Sequence, residues 1–373
     1  MNKVGITGQS GFIGTHLFNY LGLKKDIQRI EFKDDFFSDS TELEKFVTSC
    51  DVIIHLAAMN RHEDANVIYT TNINLTRELI HACNKTNSIP HIVFSSSTQE
   101  ERDSLYGKSK LECRELFENW AQETGGRFTG MIIPNVFGPF GQPFYNSVVA
   151  TFCYQLTHGQ NPEIHVDREL KLIYINELLE EFYNQIINID GNGVLKYLVP
   201  HTSTNKVSDI LNILEQYKKI YLNNGVIPEL GTSFDLALFN TFRCYISEDH
   251  FPIYYHKHSD DRGSFVEIVR TNTRGQFSFS TTKPGITRGN HFHMRKVERF
   301  AVIRGNAKIR LRKIGASAIH EYELNGEQPA FVDIPIWHTH NIKNTGDQEL
   351  ITLFWINEPY DPDDPDTYFE NVE

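Results

Sequence analysis

Short apolar runs alternating with longer amphipathic stretches fill the first two thirds of the chain. Val4–Thr7, Asp51–Leu56, His91–Ser95 and Met131–Pro134 are runs of this kind, bounded by turn residues and each followed by a segment of helical spacing. They read as buried strands, and such strand–helix alternation builds a parallel, doubly wound sheet. After about Phe251 the texture changes. Phe265–Val269, Phe300–Ile303, Ala307–Leu311 and Leu350–Trp355 are short alternating segments separated by Gly, Pro and Asn, which predicts an antiparallel barrel or sandwich. The stretch Tyr245–Pro252 carries neither period, so the boundary is placed there: an α/β domain over residues 1–245 and an all-β domain over 246–373.

Composition narrows this picture. At 373 residues the chain exceeds the roughly 250–300 at which one core stops growing, so each half has the length to bury its own. A net charge of -12 excludes a phosphate-tracking nucleic-acid binder, which needs a basic footprint. The N-terminal residues meet Gly5 and Gly8 too early to form a secretory apolar segment, and no run approaches membrane-spanning length. A cytoplasmic protein without membrane association is expected. The cysteines Cys50, Cys83, Cys113, Cys153 and Cys244 are odd in number and lack Cys-x-x-Cys spacing, so buried reduced thiols are expected.

Candidate chemistry begins directly after the first strand. In Thr7-Gly8-Gln9-Ser10-Gly11-Phe12-Ile13-Gly14, Gly8 permits a tight turn, Gly11 lets the backbone approach a pyrophosphate, and Gly14 allows close helix-to-sheet packing, with the helix N-terminus facing the anion. The end of the second strand should meet the adenosine ribose, where a carboxylate selects NAD and a cation NADP. Both Glu31 and Lys33 stand there; Lys33 is the basis for expecting NADP(H). Tyr106-Gly107-Lys108-Ser109-Lys110 opens a helical segment, and residues four apart share a helix face, so the Lys110 ammonium can sit beside the Tyr106 phenol and favour its phenolate. The Ser95-Ser96-Ser97 run at the end of the preceding strand offers a hydroxyl to the reacting oxygen.

With His55-Leu56-Ala57-Ala58, Asn72 and Pro134-Asn135-Val136-Phe137-Gly138-Pro139 added, the first 245 or so residues resemble an extended short-chain dehydrogenase/reductase. The resemblance implies a Rossmann-type fold, with Ser97, Tyr106 and Lys110 carrying the chemistry and Ser96 as the fallback for Ser97. Gly8, Gly11, Phe12, Ile13, Gly14, Lys33, Leu56, Ala57, Ala58, Tyr106 and Lys110 would line the cofactor, and Asn135 would lie near a nucleotide-sugar diphosphate. Family dehydratases carry an Asp-Glu pair after the catalytic hydroxyl residue; Thr98-Gln99 stands here, which favours plain ketone reduction.

In the second half, His291 and His293 project to one face of a strand, Glu298 can return from the next stretch, and His338 or His340 can supply a further imidazole. Three imidazoles and a carboxylate suit several divalent metals. Gly285-x5-His291-x-His293-x4-Glu298-x6-Gly305 resembles the first motif of the cupins, and Pro335-x4-His340-x3-Asn344 the second, except that Trp337 replaces a glycine. The resemblance implies a cupin barrel with His291, His293, Glu298 and His340 as ligands of a divalent metal, zinc being expected. Asp261-Arg262-Gly263-Ser264-Phe265 is similar to the opening of the sugar-nucleotide 3,5-epimerase branch of cupins.

A reductase followed by such a cupin resembles a family of bifunctional capsular polysaccharide enzymes over nearly the whole chain. That implies a UDP-linked 2-acetamido-2,6-dideoxy-4-ketohexose substrate. The cupin would epimerise C3 and the reductase would then reduce C4 with NADPH, giving UDP-N-acetyl-6-deoxy-L-talose on the route to N-acetyl-L-fucosamine in capsule or O-antigen. A homodimer is expected. The competing reading is a nucleotide-sugar reductase or 4-epimerase whose cupin only binds ligand or dimerises.

Overall fold

The computed structural model describes residues 1–188, 193–261 and 263–373. Within them the chain forms two compact units, Met1–Val148 with Asp167–Val207, and Val149–Val166 with Ser208–Glu373. In chain order the elements up to residue 206 are β1 (Asn2–Thr7), α1 (Phe12–Leu21), β2 (Ile27–Ile30), α2 (Ser40–Ser49), β3 (Val52–His55), α3 (Ala65–Thr86), β4 (His91–Ser97), α4 (Leu105–Thr124), β5 (Phe128–Ile133), β6 (Asn135–Phe137), α5 (Val148–Thr157), β7 (Glu169–Tyr174), α6 (Ile175–Ile187), β8 (Val194–Leu198) and β9 (Ser203–Lys206).

The first unit is built on a parallel sheet of order β2-β1-β3-β4-β5-β8. From β1 the chain steps outward to β2 and then crosses back to β3 on the other side, so the order reverses at β1. In open α/β sheets this reversal opens a crevice at the carboxyl ends of the strands. The helices start where the sequence offers a cap: Asp39, Asp64 and Ser104 each accept a hydrogen bond from the first turn of α2, α3 and α4, worth about 1 kcal/mol apiece. Asn87 and Gly125, at φ 53° and 71°, end α3 and α4 in the left-handed conformation. The apolar faces of these helices (Leu43, Phe46, Leu79, Phe117, Trp120) bury against Ile53, Ile92 and Phe94 of the sheet.

The second unit holds most of α5, together with α7 (Val207–Tyr217) and α8 (Ser233–Arg243), followed by β10 (Ile253–Tyr254), β11 (Lys257–Asp260), β12 (Gly263–Val266), β13 (Gln276–Thr282), β14 (Thr287–Phe292), β15 (Glu298–Arg304), β16 (Asn306–Lys313), β17 (His320–Asn325), β18 (Ala330–Ile334), β19 (His338–Asn344), β20 (Leu350–Ile356) and β21 (Tyr368–Phe369). Two five-stranded sheets, β10-β18-β15-β20-β13 and β17-β16-β19-β14-β21, are antiparallel throughout. β11 and β12 form a separate ribbon. Both sheets feed one apolar core, with Val302, Val332 and Leu350 from the first and Ile309, Leu324 and Ile342 from the second. The strand expected at Phe265–Val269 is β12, which ends at Val266. The Asp261–Phe265 motif includes Arg262, which lies outside the described residues.

Packing groups the helices at 207–243 with these strands, upstream of the sequence boundary at 245/246. The reason is a buried polar network. Arg299 and Asp333 form a bidentate pair at 2.7 and 2.8 Å, the Tyr221 hydroxyl donates to Asp333 at 2.5 Å, and Arg243 donates to the Ile334 carbonyl. Arg299 also lies 3.7 Å from the centre of the Phe331 ring. Removing one partner of a fully buried pair leaves the other charge uncompensated. Asp333→Ala is therefore expected to lower the stability of this unit by about 3–5 kcal/mol in urea unfolding; a loss below about 1 kcal/mol would mean that water reaches the guanidinium.

Cys50, Cys83, Cys113 and Cys153 are buried, Cys244 is half-buried, and all five are free thiols. Burial pushes Cys50 and Cys83 up to about 12, which keeps them protonated and unreactive. Among the described residues no helix is long and apolar enough to cross a membrane.

Candidate functional sites

The glycine turn lies at the carboxyl end of β1. Gly8 has φ +68°, and a Cβ there would come within 2.7 Å of the Ala57 nitrogen; one on Gly14 would sit 2.3 Å from the Gly8 carbonyl oxygen. Backbone blocks both, so neither position accepts a side chain. Gly11 forms the N-cap of α1 with no side-chain cap and no acidic residue in the first turn. The start of this helix thus carries neither a side-chain cap nor a negative charge that would compete with an anion for its N–H groups. Phe12 and Ile13 are half-buried in the same turn. The facing loop, Leu56–Ala58, is tied in by Thr7: its backbone oxygen accepts from Leu56 at 3.2 Å and its hydroxyl accepts from Ala57 at 3.3 Å. The hydroxyl also lies 2.8 Å from His55 Nδ1. Burial, with the Lys110 charge assisting, lowers His55 to about 3, so it is a neutral structural imidazole. Asn72 fixes the next turn of this loop, exchanging bonds of 2.7 and 3.1 Å with the Met59 backbone and donating to the Ser109 hydroxyl at 3.0 Å.

Glu31 and Lys33 are both exposed beyond β2. The residue that reaches the glycine turn is Asp34, whose carboxylate accepts from the Ser10 hydroxyl at 2.8 Å. It was not among the sequence candidates, although its place beyond β2 was the available signal.

Ser97 ends β4 and its hydroxyl accepts from Gln99 N at 3.2 Å, capping the 3-10 turn Thr98–Glu101. Ser96 points elsewhere, donating to buried Glu100 at 2.6 Å. Burial opposes the Glu100 charge, but bonds from Ser96, Arg114 and Lys196 hold this carboxyl below its ordinary range. Gly107 presses α4 onto this turn, since a Cβ there would lie 2.3 Å from the Gln99 carbonyl oxygen. Packing thus brings Tyr106 and the Ser97 turn to one place. The Lys110 ammonium donates to the Ser95 carbonyl at 2.9 Å and lies 5.9 Å from the centre of the Tyr106 ring. Burial pushes Lys110 down to about 8. Burial, assisted by the nearby Tyr145 phenol, pushes Tyr106 up to about 12, opposite to the effect expected from Lys110 alone. The phenol therefore keeps its proton at neutral pH, the form required of an acid. Asn135 is exposed at the start of β6, with its amide donating to the Lys171 carbonyl at 3.1 Å.

The second site lies where β14 and β19 pair. Gly289 at φ +106° and Asn290 at φ 62° form a bulge that sets His291 opposite His340. Donor atoms of His291, His293, Glu298 and His340 all lie within 4.8 Å of one another. His338, the alternative, instead takes a 3.0 Å contact with the Ile336 carbonyl and is outside this group. Glu298 Oε2 is 3.2 Å from Nε2 of both His293 and His340. The His340 contact lacks hydrogen-bond alignment, so its Nε2 is a buried nitrogen without a hydrogen-bond partner. Burial opposes the Glu298 charge, but the bond from His293 and the close His340 imidazole outweigh it and hold this carboxyl well below its usual range. His291 is lowered to about 3, chiefly by burial and then by its imidazole neighbours. Three imidazoles around one carboxylate, with a nitrogen lacking a hydrogen-bond partner among them, are a donor set that can hold a divalent cation. Trp337, in the place of the motif glycine, has φ 58°, the conformation a glycine would adopt without strain. It is held by a 2.8 Å bond to the His293 carbonyl and by stacking on Phe292.

Comparison with known proteins agrees with this two-part layout. Residues 4–177 match the NAD dependent epimerase/dehydratase family and residues 258–368 the polysaccharide biosynthesis C-terminal domain. The chain is 33% identical, over 98% of both chains, to a UDP-2-acetamido-2,6-beta-L-arabino-hexul-4-ose reductase of Pseudomonas aeruginosa. It is also 33% identical to the capsular polysaccharide assembling protein CapF of Staphylococcus aureus, covering 99% of this chain and 100% of that one with a TM-score of 0.62. A UDP-N-acetylglucosamine 4-epimerase of Methanobrevibacter ruminantium, 19% identical over 65% of this chain and 98% of its own with a TM-score of 0.53, shares the fold of the first part. An identity of this size over both full lengths places the chain in the family of this UDP-sugar reductase and of CapF.

Proposed function

We propose that the chain is a bifunctional UDP-sugar enzyme of surface polysaccharide synthesis. In this reading residues 246–373 form a cupin barrel that epimerises C3 of a UDP-2-acetamido-2,6-dideoxy-4-ketohexose. Residues 1–245 then reduce the C4 ketone with NADPH, giving UDP-N-acetyl-6-deoxy-L-talose. The observation that carries it is the presence, in one chain related end to end to a 4-ulose reductase, of both Tyr106 with the Lys110 ammonium beside its ring and a three-histidine, one-carboxylate cluster. In the reductase, the glycine turn holds the pyrophosphate, Ser97 hydrogen-bonds the ketone oxygen and Tyr106 gives it a proton, while Lys110 supplies positive charge beside the phenol. In the cupin, His291, His293, Glu298 and His340 would hold a divalent cation, zinc by preference, and a bound cation supplies Lewis acidity that makes the proton next to a ketone easier to remove. Asn135 would serve the diphosphate, and the working form would be a cytoplasmic homodimer.

The test is incubation with NADPH and a 4-keto-6-deoxy UDP-amino sugar, following absorbance loss and the product by NMR. Oxidation of NADPH with a C3-inverted, C4-reduced product is expected, with NADPH preferred over NADH through Lys33. Equal or better Michaelis constants with NADH would assign ribose recognition to a carboxylate beyond β2, Glu31 or else Asp34, which accepts from Ser10 of the glycine turn. Reduction without C3 inversion would leave the cupin as a binding or dimerising domain.

A further inference from the structure

Three backbone N–H groups in the turn between His293 and Glu298 converge on one side chain from the far end of the chain. Asp366 Oδ1 accepts from Met294 N at 3.0 Å, and its Oδ2 accepts from Arg295 N at 3.0 Å and Lys296 N at 3.1 Å. The residue is 2% exposed and holds φ 38°, a conformation that few residues other than glycine, asparagine and aspartate adopt. Its backbone oxygen accepts from His293 Nδ1 at 2.5 Å. Flanking contacts clamp the same segment: Lys296 Nζ donates to the Pro365 carbonyl at 2.7 Å, Arg295 pairs with Asp364 and Glu358, and β21 pairs with β14 so that Phe369 lies opposite His291.

We propose that Asp366 is a positioning residue for the centre formed by His291, His293, Glu298 and His340. Its carboxylate satisfies the N–H groups of the turn that separates two of the four donors, with charge-assisted bonds that fix the turn's path. Its carbonyl accepts a hydrogen bond from His293 Nδ1, which fixes the ring's orientation and turns Nε2 toward Glu298 and the shared space. Both effects act on one ligand and its spacing to the next. A carboxylate is needed because an amide would turn an N–H toward backbone donors, and alanine would leave three buried donors without an acceptor.

The inference rests on the reading that this cluster binds a divalent cation, and the experiment separates the two. Full-length wild type, Asp366→Asn and Asp366→Ala are purified metal-free and titrated with Zn²⁺ alone against a competing chelator. Thermal unfolding and amide exchange of residues 294–296 are measured in the same samples. Asp366→Ala is expected to weaken Zn²⁺ binding by about 10–100-fold, the usual effect of losing an outer-sphere partner. Asp366→Asn should fall between it and wild type, with the metal-free variants still folded but melting at a lower temperature and the 294–296 amides exchanging faster. Zn²⁺ affinity within threefold of wild type in both variants overturns the proposal. So does loss of the fold in both, which would make the role structural only. If wild type itself binds no Zn²⁺, the metal reading fails, and the proposal is then decided in the metal-free protein: unchanged amide exchange and an unchanged His293 tautomer by ¹⁵N NMR overturn it.

Discussion

Tyr106→Phe is expected to slow NADPH oxidation by about 10²–10⁴-fold, the usual worth of general acid catalysis, while coenzyme binding stays nearly intact. The substitution deletes one hydroxyl and preserves the ring beside the Lys110 ammonium. The phenol is raised to about 12 by burial, so at neutral pH it is protonated and can deliver its proton to the developing alkoxide. Lys110, lowered to about 8, is an ammonium below that pH and loses its charge above it. The charge that steadies the resulting phenolate is thus present at pH 7 and fades as pH rises through about 8. The rate of reduction is expected to fall on that limb. A residual rate within threefold of wild type in Tyr106→Phe, with product NMR showing normal C4 reduction, would remove Tyr106 from the mechanism.

His291→Ala is expected to abolish bound metal and C3 proton exchange while leaving a folded first unit that still binds NADPH. Four donors share one small space, and losing one of them should cost more affinity than the about 10–100-fold that an outer partner is worth. The first unit has its own core around Phe46, Phe94 and Phe117, and units with separate cores fold largely independently. Metal is read by elemental analysis and exchange by deuterium uptake at C3 in heavy water without NADPH. If wild type takes up no deuterium, or the mutant exchanges at the wild-type rate, this cluster is not an epimerisation site. Exchange that survives complete metal removal would make the metal structural and put the proton transfer on another side chain.

Much of the architecture was legible in the chain itself, for reasons that differ between the halves. Continuous apolar runs such as Val4–Thr7 and His91–Ser95 mark strands covered on both faces, and they are β1 and β4 of the parallel sheet. Gly8 and Gly14 were readable because only glycine fits where backbone comes within 3 Å of a Cβ. The short alternating segments of the second half became antiparallel strands because a period of two buries one face.

The helices at 207–243 were not assignable this way. Their spacing shows an apolar face and not its partner; Tyr221 and Arg243 find theirs at Asp333 and Ile334, far along the chain. Site details divide along the same line. Residue type and local spacing determined that His291, His293 and Glu298 lie close together and that Tyr106 and Lys110 share a helix face, because these distances depend only on one strand, one turn or one helix. Tertiary structure alone decided the rest. The pairing of β14 with β19 sets His340 opposite His291 and leaves His338 outside the cluster, the Glu100 network draws Ser96 away from Ser97, Asp34 reaches Ser10, and Asp366 closes on the 294–296 turn. Each of these depends on the register or packing of segments far apart in sequence, and such pairings are set by the folded core, whose choice no local periodicity encodes.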